Sequence, residues 1–213
     1  PIVDSETLQQ IKPYFSLTQK LGQILVQTAS PNIKEVKIIY SGEITGRAKE
    51  PLTRELLKEF LNPILTEPVN SINAKSVANQ RGITITEGET DKNGKYDATI
   101  KVDVITENGD EFTIEGTVEN GDVKVISVDD YDINLVVENL MAIIKYVDLP
   151  GTIGKIGKIL GDYEINIGEM KVGRKTAGGE AVMVIKVDQE IPEEVATKLE
   201  ETKDIESVKT LNL

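Results

Sequence analysis

Asp148-Leu149-Pro150-Gly151 is the stretch of this chain whose residue types and spacing set out binding chemistry. Tyr146 and Val147 close a β-branched run ahead of it, and glycines recur behind it at Gly154 and Gly157. Pro150 is preorganised for a first helical turn and has no N–H to lose there, so the spacing predicts a helix start at Pro150. Free backbone N–H groups at that N-terminus favour an anion such as a carboxylate. Asp148, just before the turn, can pair with an ammonium at the same mouth. A site offering both poles suits a zwitterionic amino acid. This is binding chemistry, and nothing in it requires catalysis.

Other candidates are less specific. Gly151, Gly154 and Gly157 follow G-x-x-G-x-x-G, whereas a dinucleotide loop needs G-x-G-x-x-G and a matched acidic residue further on. The observed spacing strips side chains from one helical face, for close packing against a twin chain, a ligand or the sheet. Asn166 lies between Ile165 and Ile167, so strand alternation puts its amide opposite two core residues, at a surface edge or at an interface. Arg47, Lys49, Arg54, Lys75 and Arg81 form the sizeable basic group of the N-terminal part and read first as scattered surface charge. Acidic pairs are abundant among 36 acids, and none sits in a pattern that demands acid–base work.

Composition narrows the chemistry further. The 213 residues include no His and no Cys, with a formal net charge of -12. Thiol nucleophiles, disulfides and Cys-ligated zinc are excluded, and the commonest general base and metal ligand is missing. No metal site is expected. The acidic balance argues against nucleic acid, whose binding needs a basic surface. No run approaches the ~18 apolar residues of a membrane helix, and no signal-peptide pattern appears, so the expectation is a cytoplasmic protein with no membrane partner. The chain opens on Pro1 rather than Met, which suggests a piece of something longer.

Several elements must position these residues. Ser5 is placed to cap a short helix over Glu6–Lys12, with a second helix from Pro13 carrying Tyr14, Leu17, Leu21, Ile24 and Leu25 on one face. Ser30-Pro31-Asn32 stops it, and Ile33–Tyr40 alternates as a strand. Pro51 opens a helix with Leu52, Leu56 and Phe60 inward, ended by Pro63. Ser71–Arg81 reads as a helix with Ile72, Val77 and Ala78 inward, ended by Gly82. From Ile83 the period becomes two: Tyr96 to Val104 alternates, Asn108-Gly109 offers two positive-φ residues for a tight turn, and Asn120-Gly121 offers a second. Helices followed by an antiparallel meander make an α+β domain over 1–137. Residues 138–213 have another grammar. Strand Leu140–Val147, helix Gly151–Leu160 closed by Gly161, strand Ile165–Val172 and a Gly-rich turn lead to strand Ala181–Val187. Helix Pro192–Lys203 and strand Ile205–Leu213 complete a ferredoxin-like βαββαβ unit.

This second domain resembles an ACT domain, the amino-acid-sensing module of metabolic enzymes. Asp148-Leu149-Pro150-Gly151, Ile153-Gly154-Lys155-Ile156-Gly157, Leu160-Gly161, Ile165-Asn166-Ile167 and Gly178-Gly179-Glu180-Ala181 together resemble the C-terminal region of the D-3-phosphoglycerate dehydrogenase family. The N-terminal part is similar to that family's allosteric substrate-binding domain, through Pro13-Tyr14, Lys20-Leu21-Gly22, Ile33-Lys34-Glu35-Val36, Tyr40-Ser41-Gly42-Glu43, Asn73-Ala74 and Gly116-Thr117-Val118. The family's nucleotide domain and catalytic His have no counterpart here. The resemblance therefore implies a regulatory half with no catalytic residue and no cofactor of its own, NAD belonging to the parent enzyme of serine biosynthesis.

The resemblance also implies a homo-oligomer, a dimer or tetramer in which twin ACT domains pair and L-serine sits between them as feedback inhibitor. Asp148 would be its acidic ligand and Asn166, with Ile167 beside it, its amide partner; Tyr146 and Pro150-Gly151 would line the mouth. Leu149 stands where the family carries basic or polar residues. In the first domain the resemblance raises a phosphate-bearing effector, held by Arg47, Lys49, Arg54 and Arg81 if they converge on one cleft. The alternative is a regulatory subunit of an L-serine dehydratase, which carries a similar domain pair, or another small-molecule-binding module.

Overall fold

A computed structural model gives the fold and describes residues 3–91 and 94–213; Pro1 lies outside the described residues. The chain divides into two compact units, Pro1–Asp129 and Asp130–Leu213.

The first unit opens with one helix, α1 (Ser5–Thr28), in place of the two expected. Its cap is Asp4 rather than Ser5: the Thr7 N–H donates to Asp4 Oδ1 at 2.8 Å. Pro13 lies inside α1 without breaking it. It sits on the exposed face, as does Gln9, whose carbonyl has no helical partner because Pro13 lacks an N–H. Ile11, Tyr14, Leu17 and Leu21 are buried on the other face and hold the axis through that gap.

Strand β1 (Ile33–Gly42) leads through a 3-10 turn at Gly46–Ala48 into α2 (Lys49–Leu61). Leu52, Leu56 and Phe60 of α2 are buried, as the spacing predicted. Helices α1 and α2 meet closely at Gly22, where an added Cβ would stand 2.7 Å from Glu59 Cβ. The next helix, α3 (Ala74–Gln80), starts later than expected. The Asn70 carboxamide oxygen accepts from the N–H groups of Ile72 and Asn73 at 2.9 and 3.0 Å, a local turn that competes with helix. Ile72 is consequently 86% exposed rather than inward, whereas Val77 and Ala78 are buried.

Strands β2 (Thr84–Thr90), β3 (Ala98–Thr106), β4 (Glu111–Glu119) and β5 (Asp122–Val128) join β1 in the order β2-β1-β3-β4-β5. One pair departs from the expected meander. Strand β2 runs parallel to β1, a geometry that needs a long crossover, supplied here by α2 and α3. The Asn120-Gly121 turn has φ of 53° and 84°, as a two-residue hairpin requires. At Asn108-Gly109 only Gly109 is left-handed, because the loop is longer: Thr106 N–H bonds Asp110 O at 2.9 Å and Gly109 N–H bonds Thr106 O at 3.0 Å. Helix α1 covers the sheet at β4, where a Cβ on Gly116 would fall 2.6 Å from Leu17 Cδ1.

The second unit contains β6 (Tyr131–Val136), β7 (Leu140–Val147), α4 (Thr152–Asp162), β8 (Ile167–Arg174), β9 (Glu180–Val187), α5 (Glu193–Glu200) and β10 (Ile205–Asn212). Its sheet order is β10-β7-β9-β8 with every pair antiparallel, the expected βαββαβ unit. Ile156 and Leu160 of α4 and Val195 and Leu199 of α5 bury themselves against Ala142, Ile144, Met183 and Ile185 of the sheet. The division falls upstream of the expected 137 because β6 packs on β8 and β9. Helix α4 continues through Gly161; Glu164, at φ 57°, takes the left-handed closing position as Ile165 N–H bonds Leu160 O. Among the described residues no helix is long and apolar enough to cross a membrane.

Candidate functional site

The mouth beside Asp148 is built by a four-residue turn. Thr152 N–H bonds Leu149 O at 3.2 Å, with Pro150 and Gly151 between them and Gly151 at φ 91°, ψ −15°. Pro followed by a left-handed Gly is the signature of a type II turn. The helix therefore starts at Thr152, with Gly151 as its cap, and Pro150 shapes the approach instead of the first helical turn expected of it. No side chain caps α4, and with the Thr152 N–H given to Leu149 O, the Ile153 and Gly154 N–H groups of the first turn have no helical partner. Asp148 is fixed in place by its own N–H, which bonds Gly179 O at 2.8 Å.

The Asp148 carboxylate, 14% exposed, accepts at 2.8 Å from Nη1 of Arg174, which is 57% exposed. Sequence reasoning missed Arg174 because it ended the strand at Val172 and gave the following residues to the turn. In the structure β8 extends to Arg174, whose register partner is Ala181, while Glu180 pairs with Val147. Strand pairing thus delivers a guanidinium to the residue after Val147. Tyr146 is buried beside this pair, and burial, with the Asp148 charge second, raises its phenol above the ordinary 10.0. The Tyr146 hydroxyl and Thr152 Oγ1 are buried without a hydrogen-bond partner.

Asn166 lies at the other end of β8. Seven strand steps from Ile167 to Arg174 span about 23 Å at ~3.3 Å per residue, so one chain does not bring Asn166 to Asp148. Its carboxamide donates to Asp188 Oδ2 at 2.7 Å and its N–H to Gln189 Oε1 at 3.0 Å. Ile167 is half-buried against the core. The helix glycines do not pack on the sheet: a Cβ at Gly154, Gly157 or Gly161 would meet nothing within 4 Å. That open face carries the exposed side chain of Ile153 and continues from exposed Leu149.

In the first unit Arg47, Lys49 and Arg54 line one cavity of about 770 Å³ with Phe15, Pro51 and Ile72. Arg81 is elsewhere, paired with Glu67 at 2.8 Å, and Lys75 bridges Glu50 and Glu87. Lys49 is held by Glu89 at 2.5 Å and Arg54 by Glu50 at 2.9 Å.

Comparison with known proteins places both units. Residues 10–129 match the family model for the D-3-phosphoglycerate dehydrogenase intervening domain, and residues 141–204 match the ACT domain. D-3-phosphoglycerate dehydrogenase of Methanocaldococcus jannaschii is 38% identical over 213 residues, covering all of this chain and 40% of that protein. The enzyme of the same name from Bacillus subtilis is 33% identical over 214 residues, covering all of this chain and 41% of that protein. The chain thus spans about two fifths of the length of these relatives. It belongs to the D-3-phosphoglycerate dehydrogenase family, of which it carries the intervening domain followed by the ACT domain.

Proposed function

We propose that this chain is the regulatory part of a D-3-phosphoglycerate dehydrogenase and binds L-serine at the Asp148 mouth as a feedback signal. The observation that carries the reading is a mostly buried carboxylate paired to a more exposed guanidinium beside an uncapped helix start. An amino acid inserted at this pair offers each side chain a new partner of opposite charge. Its ammonium takes Asp148, and its carboxylate takes Arg174 and the leading amides of α4. NAD and the oxidation of phosphoglycerate belong to the parent enzyme, and this chain binds without turning anything over.

Asn166 enters from a second chain. β8 is the outer strand of its sheet, and antiparallel pairing of twin β8 strands would set residue 166 of one chain near residue 174 of the other. There its amide meets the ligand's hydroxyl, exchanging Asp188 for serine. The open glycine face of α4, with Leu149 and Ile153 exposed beside it, supports a twin or ligand packed closely there.

Calorimetric titration with L-serine tests the site. Losing a charge-assisted hydrogen bond costs about 1.5–3 kcal/mol, so Asp148→Ala should weaken serine by about ten- to a hundredfold. Light scattering should report a dimer at least. Affinity unchanged in Asp148→Ala removes the site, no binding by the unaltered chain removes serine, and a monomer at all concentrations removes the shared pocket.

A further inference from the structure

The cavity of the first unit has a charge pattern that the phosphate expectation does not account for. Of its three basic side chains, Lys49 and Arg54 are already held by carboxylates. Arg47 forms no ion pair among the described residues and is exposed at the rim. Glu50 and Glu55 also line the cavity, and both are engaged inside the unit, Glu50 by Arg54 and Lys75, Glu55 by Lys58, Gln19 and Ser71. A doubly charged phosphate would meet one free cation and three carboxylates, those of Glu50, Glu55 and Asp4, the last held by the Thr7 N–H at the α1 cap. Like charges so placed disfavour it. One carboxylate is what a single guanidinium fork satisfies.

Asp4, Gly46 and Ser71 also line the cavity, and what remains of the lining is apolar. Phe15, Pro51 and Ile72 face a volume of about 770 Å³, within the range of pockets that enclose small organic ligands. Ile72 is 86% exposed, yet its position is fixed, since the Asn70 side chain holds the Ile72 N–H at 2.9 Å. A large aliphatic side chain is thus presented to the opening on a preorganised turn. Covering it removes apolar surface from water with little ordering to offset.

We infer that the first unit holds a second small-molecule site, separate from the amino-acid mouth, for an amphipathic monocarboxylate. The ligand's carboxylate lies on Arg47 and its hydrocarbon or aromatic body covers Phe15, Pro51 and Ile72.

Octanoate, below its micelle concentration, is the probe, titrated by calorimetry into the unaltered chain beside inorganic phosphate and 1-octanol. Octanoate should bind saturably at one site per chain, phosphate should not bind at the same concentrations, and octanol should bind more weakly than octanoate. Arg47→Gln should weaken octanoate about tenfold, the loss of one charge-assisted contact, and Ile72→Ser should weaken it several-fold. Both side chains are exposed, so thermal melts of the variants should match the parent and exclude misfolding as the cause. Three results overturn the proposal: no saturable octanoate binding, octanoate affinity unchanged in Arg47→Gln, or phosphate binding that depends on Arg47 more than octanoate does. L-serine titrated separately reads the other mouth, so either site fails alone.

Discussion

Asp148 and Arg174 illustrate how far side-chain chemistry can be read from spacing. Asp148 stood out because an acid just ahead of a helix start can take an ammonium where the amides take a carboxylate, although acids also favour helix N-termini for structural reasons. Arg174 did not, because its place depends on register: only when β8 runs to Arg174 opposite Ala181 does its guanidinium reach the residue after Val147. Asn166 was legible as a polar residue between two core positions, but its distance from Asp148 follows from strand length, which alternation alone does not report. Under the proposed serine reading Arg174 contributes to carboxylate binding, and this separates it from a mere counter-ion of Asp148. Arg174→Gln removes the charge from an exposed side chain, so the fold should survive. Serine affinity should fall about tenfold, with Arg174→Lys intermediate because the point charge remains and the fork is lost. Tighter serine binding in Arg174→Gln, read by calorimetry, would show that the guanidinium competes with the ligand's ammonium instead.

Helix α1 shows where element prediction from local rules gives way to packing. Pro13 reads as a boundary, yet the helix runs through it, held by Ile11 and Tyr14 on its buried face with the lost hydrogen bond on the wet face. An interior proline costs a helix about 3 kcal/mol against alanine, while its stiffness in the unfolded chain returns about 0.4–1 kcal/mol. Pro13→Ala should therefore stabilise the first unit by about 1–3 kcal/mol, seen as a higher urea midpoint at unchanged slope. A lower midpoint would mean that α1 depends on the proline ring for packing. Where core alternation and turn residues agreed, the sequence was sufficient: β7 and the Asn120-Gly121 hairpin fall where their residues put them. Where long-range geometry decided, it was not. The parallel β1–β2 pair is closed by a crossover whose ends lie far apart in sequence. Ile72 was placed inward by helical period, and an Asn70 turn overrode that period.

Over the whole molecule a net charge of -12 must be reconciled with carboxylates drawn into partly buried networks. In the first unit burial pushes Glu50 up, but hydrogen bonds from Lys75 and Arg54 more than offset it and hold its carboxyl below the ordinary 4.5. Burial likewise opposes the Glu55 charge, and Lys58, Gln19 and Ser71 together bring it below 4.5. In the second unit Lys186 holds Glu169 below 4.5, against a smaller push from burial. Lys186 itself is raised above 10.5, because Glu169 and Glu138 outweigh the burial that opposes its charge. Carboxyls with lowered folded-state values contribute stability that is complete above the unfolded value of about 4.5 and is lost as pH falls through the folded value. A lysine with a raised value contributes stability that is complete below about 10.5 and is lost as pH climbs through its folded value. Stability should therefore be level from about pH 6 to 9 and fall on the acid side first below about pH 4.5, where both units lose paired carboxylates. Glu55→Gln, which keeps the shape but cannot titrate, should lower stability at neutral pH and flatten the acid limb in urea unfolding measured across pH. An acid limb as steep in Glu55→Gln as in the parent would assign acid sensitivity to groups outside this network.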